Sequence, residues 1–347
     1  MEIKSKVHNY TVKFDSIKEI QIEKGDYIII DDNLHVPFIH KSVDNNNLEH
    51  PHNPIYYVNA NERSKEYTSV TPIINDIIKS GFRKNNKIIA IGGGVVQDIT
   101  GFISSILYRG VEWTFYPTTL LAQGDSCIGG KYSINFGEYK NQLGGFYPPH
   151  NIIIDTELLE TLPKLQMYSG IGEMAHYFFI DGRGSFDFFK EHLFHTGQLD
   201  IKSLIEHSLE IKKRMVEIDE FDVGPRRVFN YGHSFGHAIE SITNYDVPHG
   251  VSVSYGMDIA NYVSMELSYI TKEEYDEMYN VLKRVHKIKE LPHIELDDMM
   301  NALGKDKKNI GTTLGLVLTK GLGRMFLEQV SPDIIKHILK NYFNYGT

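Results

Sequence analysis

The first third of the sequence repeats a β-α-β pattern, and this pattern constrains the fold more than any other feature. Short runs rich in β-branched and aromatic residues, at 26–31 (DYIIID), 54–58 (PIYYV) and 87–91 (KIIAI), predict three strands. An amphipathic segment at about 64–79 separates the last two and predicts a helix. Strands that alternate with helices are typical of a parallel, doubly wound sheet.

A glycine triplet at 92–94 follows the third predicted strand directly, and a predicted helix that carries Asp98 comes next. Glycine at such a turn lets the backbone approach a ligand, and the N-terminus of the helix offers free N–H groups to a phosphate. The triplet alone is weak evidence, because tight turns of any kind use glycine.

A segment rich in Gly, Ser, Asn and Lys follows a further predicted strand at 111–119. It shows little amphipathic pattern and contains Asp125, Lys131, Lys140 and Asn141. This composition fits a solvated loop and an anion-binding surface equally well, so the residues alone leave both interpretations open.

From about residue 158 onward the sequence predicts helices with short connectors, at 164–180, 185–192, 201–219, 226–243, 251–269 and 273–285. Near the end, 313–319 and 324–330 predict a β-hairpin, and 332–342 predicts a final helix. The expected fold is therefore α/β, with an N-terminal doubly wound nucleotide-type domain at 1–157 and a C-terminal, mostly helical domain at 158–347.

The charge balance and the absence of apolar runs limit the class of protein. Lysine and arginine number 36 and aspartate and glutamate 45, a formal net charge of −9, which argues against a general nucleic-acid binder. No apolar run approaches the length of a membrane span, and the first residues lack the apolar core of a signal peptide. The one cysteine, Cys127, cannot form an intramolecular disulfide. We therefore expect a cytoplasmic enzyme that binds neither membranes nor nucleic acids.

The densest group of candidate site residues lies between 226 and 249. His233 and His237 are four residues apart in a helical pattern, so both imidazoles leave the same helix face. His249 follows at the predicted start of another helix. Two imidazoles from separate elements could share a metal ion with a carboxylate, a common ligand set for catalytic zinc. Glu173 offers that carboxylate, since metal ligation would relieve the cost of burying it among apolar residues.

A less specific interpretation is open for each of these residues. Histidines at i and i+4 are more often a packed or solvated pair than a metal site, and Glu173 alone would be interpreted as a partly exposed helix residue. The number of polar residues in the same stretch favours a site, because a purely structural helix rarely buries so many. These residues are Arg226, Arg227, Asn230, Ser234 and Glu240.

Several motifs, in one order along the chain, together carry a family resemblance. They are GGGVVQD (92–98), YRG (108–110), PTTLLAQGDSCIGGK (117–131), KNQLGGFYPP (140–149), IIIDTELLETLP (152–163), GEMAH (172–176), NYGHSFGHAIE (230–240), HGVSVSYGM (249–257) and DKKN (306–309). With them, the sequence from about 26 to 320 resembles the sugar-phosphate cyclases, and most closely the 3-dehydroquinate synthase family. The resemblance implies a homodimer with an N-terminal NAD-binding domain, a C-terminal helical metal-binding domain and an active site in the cleft between them.

The resemblance also implies roles for individual residues. Glu173, His233 and His249 match the zinc ligands of the family. The positions that match NAD-binding residues are Asp31, Glu62, Lys65, Gly93, Gly94, Asp98, Thr118, Thr119 and Asp125. Those that match the substrate pocket are Lys131, Lys140, Asn141, Lys212, Arg226, Asn230, His237, Lys307 and Lys308. Arg109 resembles the arginine that reaches the substrate phosphate from the partner subunit.

The implied reaction uses NAD and a zinc ion, with cobalt as an alternative metal, on a small phosphorylated sugar. A substrate hydroxyl gives a hydride to NAD⁺, phosphate is eliminated next to the new ketone, NADH returns the hydride, and an intramolecular aldol step closes a carbocycle. Zinc serves as a Lewis acid for the hydroxyl. Lys212 and Arg226 match the positions that hold a substrate carboxylate, so we expect an acidic substrate.

Three positions depart from the family pattern. His176 stands where members commonly have a lysine, Gln97 replaces a glycine near the cofactor, and Tyr139 replaces a glycine before a Lys-Asn pair. Because Glu173 and His176 share a helix face at i, i+3 spacing, we hypothesise that His176 contacts the metal or a substrate oxygen. A packed helix histidine is the alternative.

The leading interpretation is a 3-dehydroquinate synthase that acts on 3-deoxy-arabino-heptulosonate 7-phosphate. The second is a cyclase of the same chemistry for another sugar phosphate, such as sedoheptulose 7-phosphate, glucose 6-phosphate or another ulosonate. A third, of another class, is a metal-dependent polyol dehydrogenase of the glycerol dehydrogenase type, which would accumulate NADH. A non-catalytic NAD-binding relative is the least favoured, since all three ligand positions are present.

Overall fold

The chain divides into two structural units, Met1–Leu162 and Pro163–Thr347. The structure is a computed structural model, and it describes residues 1–34, 53–137, 139–194, 200–305 and 309–344. The division falls slightly later than the expected boundary after residue 157, since Leu158 packs in the hydrophobic core of the first unit.

The first unit is built on a seven-stranded sheet in the order β1-β2-β9-β6-β5-β3-β4. The strands of this sheet and of the adjoining hairpin are β1 (Glu2–Ile3), β2 (Tyr10–Phe14), β3 (Tyr27–Asp31), β4 (Ile55–Val58), β5 (Ile88–Gly92), β6 (Trp113–Pro117), β7 (Lys131–Phe136), β8 (Tyr139–Phe146) and β9 (Asn151–Ile154). All pairs in the sheet are parallel except β1 with β2. The doubly wound α/β fold expected from the sequence is confirmed.

Continuous isoleucine runs explain why β3 and β5 are interior strands of the sheet, each paired on both sides. Ile28, Ile29 and Ile30 are all buried, and so are Ile88 and Ile89, which means that both faces of these strands are covered. Parallel strands between helical layers are typically apolar on both faces. The covering helices in this unit are α1 (Tyr67–Lys79) and α2 (Gly94–Ile106), and the short 3-10 helix Glu62–Lys65 precedes α1.

The Gly- and Ser-rich segment that the sequence left as a loop is largely regular. It begins with a short π-helix, Ala122–Ser126, and continues as the antiparallel hairpin β7–β8, paired from Lys131 with Phe146 to Phe136 with Tyr139. The hairpin was missed because a bulge and two glycines interrupt the alternation of apolar and polar residues. Gly144 is required there, since a Cβ would lie 2.3 Å from the backbone oxygen of Tyr132.

The second unit is helical, with one two-stranded sheet of β10 (Leu314–Thr319) and β11 (Met325–Val330). Its helices are α3 (Lys164–Asp181), α4 (Arg183–Phe194), α5 (Ile201–Ile218), α6 (His233–Ile242), α7 (His249–Glu266), α8 (Lys272–His286), α9 (Leu296–Gly304) and α10 (Pro332–Asn344). The nine-residue helix α9 was not predicted. The central helix is α7, which contacts α3, α6, α8 and α10.

The predicted helix at 226–243 is broken in the structure. A short 3-10 helix covers Pro225–Asn230, and α6 begins only at His233. Gly232 between them has a φ of 81°, in the left-handed region that favours glycine. His233 is therefore the first residue of a helix.

Among the residues that the structure describes, no helix combines the length and apolar character needed to cross a lipid bilayer.

Candidate active site

Three helices bring together the carboxylate and two of the histidines singled out by the sequence. Glu173 lies within α3, and His233 and His249 are the first residues of α6 and α7. Nε2 of His233 lies 3.4 Å from Oε1 of Glu173, and Nε2 of His249 lies 3.3 Å from Oε2. One ligand atom from each residue falls within 4.8 Å of the others, close enough to surround a single ion.

Glycines allow this close approach because they bring the helix backbones into contact. A Cβ on Gly172 would lie 2.2 Å from the backbone oxygen of Gly250, and one on Gly250 would lie 1.8 Å from the backbone oxygen of Ser169. The backbone N–H of Gly250 also donates to Ser169 Oγ at 3.0 Å. The contact between α3 and α7 therefore fixes Glu173 beside His249.

Hydrogen bonds on the far side of each imidazole orient it towards Glu173. Nδ1 of His233 lies 3.2 Å from the backbone oxygen of Tyr231, and Nδ1 of His249 lies 3.0 Å from Oε2 of Glu240. Because both partners are acceptors, Nδ1 carries the proton in each ring, and Nε2 is the nitrogen that faces the carboxylate. Metal-binding histidines commonly have this arrangement.

The charges of Glu173 and His249 stabilise each other. Burial alone would raise the pKa of the Glu173 carboxyl, but the facing His249 and His233 hold that pKa well below its ordinary value. Burial likewise opposes the charged form of His249, yet Glu173 and Glu240 raise the pKa of its imidazole well above the usual value. A divalent cation would replace the proton that the charged form of His249 carries on Nε2, facing Glu173.

These residues fit a zinc or cobalt ion. Oε2 of Glu173 is buried, and within the described part of the chain it receives no well-directed hydrogen bond. Two imidazole nitrogens and one carboxylate oxygen are a common protein ligand set for catalytic zinc, which leaves one coordination position open. Each oxygen of this buried carboxylate faces one oriented imidazole nitrogen, and a metal ion between them would satisfy Oε2.

The sequence named Glu240 only as one of the polar residues near the histidines, without a role of its own. It is the residue that contacts His249 Nδ1, and with His237 and His249 it forms a second compact group of ionisable side chains. Its position seven residues after His233, on the same helix face, was the available signal.

His176 is buried, with 1% of its surface exposed. Its Nδ1 is hydrogen-bonded to the backbone oxygen of Glu173, and its ring meets the ring of His233 edge-on at 5.3 Å between centroids. The rings of Tyr177 and Phe229 pack on its other sides. The structure therefore places His176 next to the proposed ligands, and its contact with metal or substrate stays a prediction.

The other expected substrate residues of the second unit surround the same helices. Lys212 on α5 and Arg226 on the 3-10 helix Pro225–Asn230 are both buried, and this short helix contacts α3 and α5. Nη1 of Arg226 donates to the backbone oxygen of Glu220 at 2.6 Å. Asn230 donates to the backbone oxygen of Arg227 at 3.1 Å.

His237 is exposed, and its ring lies 5.4 Å from that of His233 and 5.6 Å from that of His249. Lys307 and Lys308 lie outside the described residues. The imidazoles of His233, His237 and His249 thus lie close to one another.

In the first unit, the expected cofactor residues lie at the carboxyl ends of neighbouring strands. Asp31 ends β3, Gly93 and Gly94 form the turn from β5 into α2, and Thr118 and Thr119 follow β6. Ligands of open α/β sheets bind at this edge. Asp125 lies on the π-helix Ala122–Ser126, a few residues further along.

An ion pair between the buried Lys65 and the partly exposed Asp98 links two more of these residues. Nζ of Lys65 lies 2.8 Å from Oδ2 of Asp98 and 3.7 Å from Oε1 of Glu62, and it donates to Oδ1 of Asn141 at 2.8 Å. Burial raises the pKa of the Asp98 carboxyl, an effect that Lys65 partly offsets. Asn141 also accepts from Ser133 Oγ at 3.0 Å, so the expected cofactor and substrate residues share one network.

Next to this network lies a cavity of about 340 Å³. Its lining includes Asp98, Lys131, Ser133, Asn141 and Gln142. Lys140 and Tyr139 are exposed on the same hairpin, and neither lines the cavity. Ser133 and Gln142 were not singled out from the sequence, because the hairpin that presents them was not predicted.

Arg109 lies in a strained turn on the surface. Tyr108 and Arg109 have φ angles of 49° and 62°, and Gly110 has 111°, so consecutive residues adopt left-handed conformations. Such strain is uncommon for residues other than glycine and concentrates at functional sites.

Comparison with known proteins assigns the chain to one family. The 3-dehydroquinate synthase N-terminal model matches residues 55–169, and the 3-dehydroquinate synthase C-terminal model matches residues 170–309. The 3-dehydroquinate synthase of Dictyoglomus turgidum is 37% identical over 316 residues, which cover 89% of this chain and 88% of that protein.

Solved structures support the same fold. A 2-deoxy-scyllo-inosose synthase complexed with carbaglucose-6-phosphate, NAD⁺ and Co²⁺ has a TM-score of 0.86 at 23% identity and covers 98% of this chain and 99% of its own. The 2-epi-5-epi-valiolone synthase of Streptomyces hygroscopicus, with NAD⁺ and Zn²⁺ bound, has a TM-score of 0.84 at 21% identity and covers 99% of both chains. The chain belongs to the 3-dehydroquinate synthase family.

Proposed function

We propose that the protein is a 3-dehydroquinate synthase, which converts 3-deoxy-arabino-heptulosonate 7-phosphate into 3-dehydroquinate with loss of phosphate. The observation that carries the proposal is the group of Glu173, His233 and His249, with its buried, unsatisfied carboxylate oxygen. Curated relatives of this name include proteins 31% and 37% identical to the chain, which further supports this substrate over other sugar phosphates.

When bound, zinc or cobalt supplies a Lewis acid and NAD supplies a reversible hydride acceptor. Glu173, His233 and His249 would hold the metal. The glycine turn before α2, with Asp98, Thr119 and Asp125, would hold the dinucleotide. The remaining basic residues have to bind and orient a substrate that carries both a phosphate and a carboxylate.

The buried cations explain how an acidic substrate would be recognised. Arg226 presents a planar guanidinium that suits a carboxylate, and it is buried, so its attraction for an anion is little screened by water. Lys212 on the neighbouring helix adds a second buried positive charge. In the first unit, Lys131 and Asn141 line the cavity and offer a cation and an amide to polar groups of a ligand.

We also propose that the protein works as a homodimer in the cytoplasm, with Arg109 reaching the substrate phosphate of the partner subunit. The support is the strained left-handed turn that presents an exposed Arg109. Mixing an Arg109→Ala variant with a Glu173→Gln variant tests this: mixed dimers would regain one complete site and part of the activity. Failure to regain activity, with mixed dimers shown by mass, would contradict it.

The main experiment is phosphate release from 3-deoxy-arabino-heptulosonate 7-phosphate by zinc-loaded protein with catalytic NAD⁺, with the product identified by NMR. We expect stoichiometric phosphate, 3-dehydroquinate and no net NADH. Glu173→Gln is the control and should release no phosphate. Protein that holds zinc and NAD⁺ but does not turn over would overturn the assignment, and net NADH would indicate a dehydrogenase.

A second candidate is a cyclase of the same chemistry for another sugar phosphate. The observation that favours it is His176, which stands beside the metal ligands where family members commonly carry a lysine. Sedoheptulose 7-phosphate and glucose 6-phosphate lack the carboxylate, so turnover of either at a higher kcat/KM would decide for this candidate.

A further inference from the structure

Gln97 and Ser126 exchange two hydrogen bonds inside the first unit. Nε2 of Gln97 donates to the backbone oxygen of Ser126 at 2.6 Å, and Oγ of Ser126 donates to Oε1 of Gln97 at 2.6 Å. Gln97 is only 4% exposed, so these bonds are largely protected from water. Both ends of the amide are satisfied, which fixes its orientation.

The pair joins the two segments that flank the proposed dinucleotide site. On one side, Gln97 lies in the first turns of α2, and its backbone N–H donates to the oxygen of Gly93 at 3.0 Å. On the other side, Ser126 ends the π-helix that carries Asp125. The glycine turn packs closely against the segment that leads into the π-helix, since a Cβ on Gly93 would lie 2.8 Å from Cγ2 of Thr119.

The π-helix needs such support from side chains. A π-helical turn is rare and intrinsically less favourable than an α-helix, and it occurs mostly at functional sites. Its start is held by Thr119 Oγ1, which accepts from the N–H of Ala122 at 3.2 Å. Its middle is held by Gln123, whose amide donates to the backbone oxygens of Pro117 and Asp155 at 3.0 and 2.8 Å. Its end is held by Gln97.

We propose that Gln97 is a positioning residue for NAD: by clamping Ser126 it fixes the π-helix, and with it Asp125, relative to the glycine turn at the start of α2. The inference rests on the proposed NAD-dependent function. Gln97 acts through Ser126 and needs no contact with the cofactor. Without these hydrogen bonds, a smaller fraction of the protein holds the π-helix in the conformation that binds NAD. The apparent affinity for NAD falls in proportion to that fraction.

The test is the dissociation constant of NAD⁺ for the zinc-loaded, full-length protein, measured by calorimetry. Gln97→Ala removes both hydrogen bonds, and Gln97→Glu keeps the size of the side chain but cannot donate to the Ser126 oxygen. Since a buried hydrogen-bonded pair is lost, we expect each variant to bind NAD⁺ about tenfold more weakly. The KM for NAD⁺ should rise in parallel, while kcat at saturating NAD⁺ and the zinc content stay unchanged.

Ser105→Ala is the matched control, because Ser105 lies on the same helix and donates to the backbone oxygen of Phe102 at 2.8 Å. It should leave NAD⁺ binding unchanged. Ser126→Ala, a smaller change that removes one of the two bonds, should weaken binding less than the Gln97 variants do. If the Gln97 variants fail to fold, the NAD⁺ dissociation constant of Ser126→Ala tests the proposal in their place.

A lower melting temperature with an unchanged NAD⁺ dissociation constant would overturn the inference, because the pair would then serve stability alone. A wild-type protein that does not bind NAD⁺ would overturn the proposed function together with it. The two failures are therefore distinguishable in one titration series.

Discussion

His249 lies between two carboxylates, and its Nδ1 is 3.0 Å from Oε2 of Glu240 while its Nε2 is 3.3 Å from Oε2 of Glu173. Among the described residues, Glu240 makes no direct contact with Glu173. It therefore acts on the proposed metal site through the imidazole of His249. A carboxylate in this position fixes the ring orientation and makes the ligating nitrogen more basic.

Replacing Glu240 should therefore weaken metal binding without removing a ligand. We expect Glu240→Ala to lower zinc affinity roughly 10- to 100-fold, and Glu240→Gln to lower it less, because the amide oxygen can still accept from Nδ1. Competition with a chromogenic chelator measures the affinity directly. Glu266→Gln, on the exposed end of α7, is the control and should match the wild type. Equal zinc affinity in Glu240→Ala would show that the contact is incidental.

Gly250→Ala should damage both the stability and the metal site. The added methyl would lie 1.8 Å from the backbone oxygen of Ser169 and 2.8 Å from the backbone nitrogen of Glu173, so α3 and α7 must move apart. We expect a loss of at least about 3 kcal/mol in the free energy of unfolding, the upper part of the range for overpacking. Urea unfolding of the metal-free protein and zinc titration give the two readouts.

Gly184→Ala is the matched control for that substitution. Gly184 lies in α4, and a Cβ there meets no atom within 4 Å. Because alanine is the better helix former, this variant should be equal to the wild type or more stable by up to about 1 kcal/mol. Similar losses in both variants would contradict the role given to the contact between α3 and α7.

The sequence predicted best those strands and helices whose hydrophobic pattern lies within a single segment. The isoleucine runs of β3 and β5 and the periodicity of the helices in the second unit predicted those elements without knowledge of their neighbours. The hairpin β7–β8 and the break at Gly232 were missed, because a bulge and a left-handed glycine leave no periodic pattern. Both features matter for the site, since the hairpin carries Asn141 and the break makes His233 the start of α6.

The metal ligands could be predicted in part from spacing, whereas the polar network around Lys65 in the first unit could not. Two histidines and a nearby carboxylate suggest a metal site through their chemistry alone. The ion pair of Lys65 with Asp98, and the bond from Lys65 to Asn141, join residues far apart in the chain. The sequence pattern had pointed to Asp98 and Asn141 separately, and Lys65 came only from the family resemblance. Neither predicted that the three residues touch each other.

His176 offers a test of whether its polar atoms or its volume matter. We expect His176→Ala to lower kcat/KM or zinc content, as the hypothesis of a metal or substrate contact requires, by about tenfold or more. His176→Phe keeps an aromatic ring against Tyr177 and Phe229 but removes both nitrogens. If the phenylalanine variant keeps full activity and zinc while the alanine variant does not, His176 is a packing residue. If both variants keep them, neither its polar atoms nor its volume matter.

Asp258 makes the second unit less stable as the pH rises. Its carboxyl is buried in α7, and burial raises its pKa from 3.8 to about 6, an effect that the hydrogen bonds from Tyr342 and Tyr275 partly offset. Because the pKa of Asp258 is higher in the folded state, the protonated carboxyl favours folding. This contribution to the free energy of unfolding is complete below pH 3.8 and is lost as the pH rises through about 6. Ionising this carboxyl inside the protein therefore costs roughly 3 kcal/mol at neutral pH.

Asp258→Asn removes that cost and keeps an oxygen that can accept from the Tyr342 hydroxyl, which lies 2.7 Å from Oδ2 in the wild type. We expect the variant to be about 1 to 3 kcal/mol more stable than the wild type at pH 8 and equal to it or slightly less stable at pH 4. Urea unfolding at both pH values measures the difference. Asp333→Asn, in the exposed first turn of the helix that carries Tyr342, should change stability by less than about 1 kcal/mol at either pH. A stability difference for Asp258→Asn that does not change with pH would mean that the carboxyl does not titrate in this range.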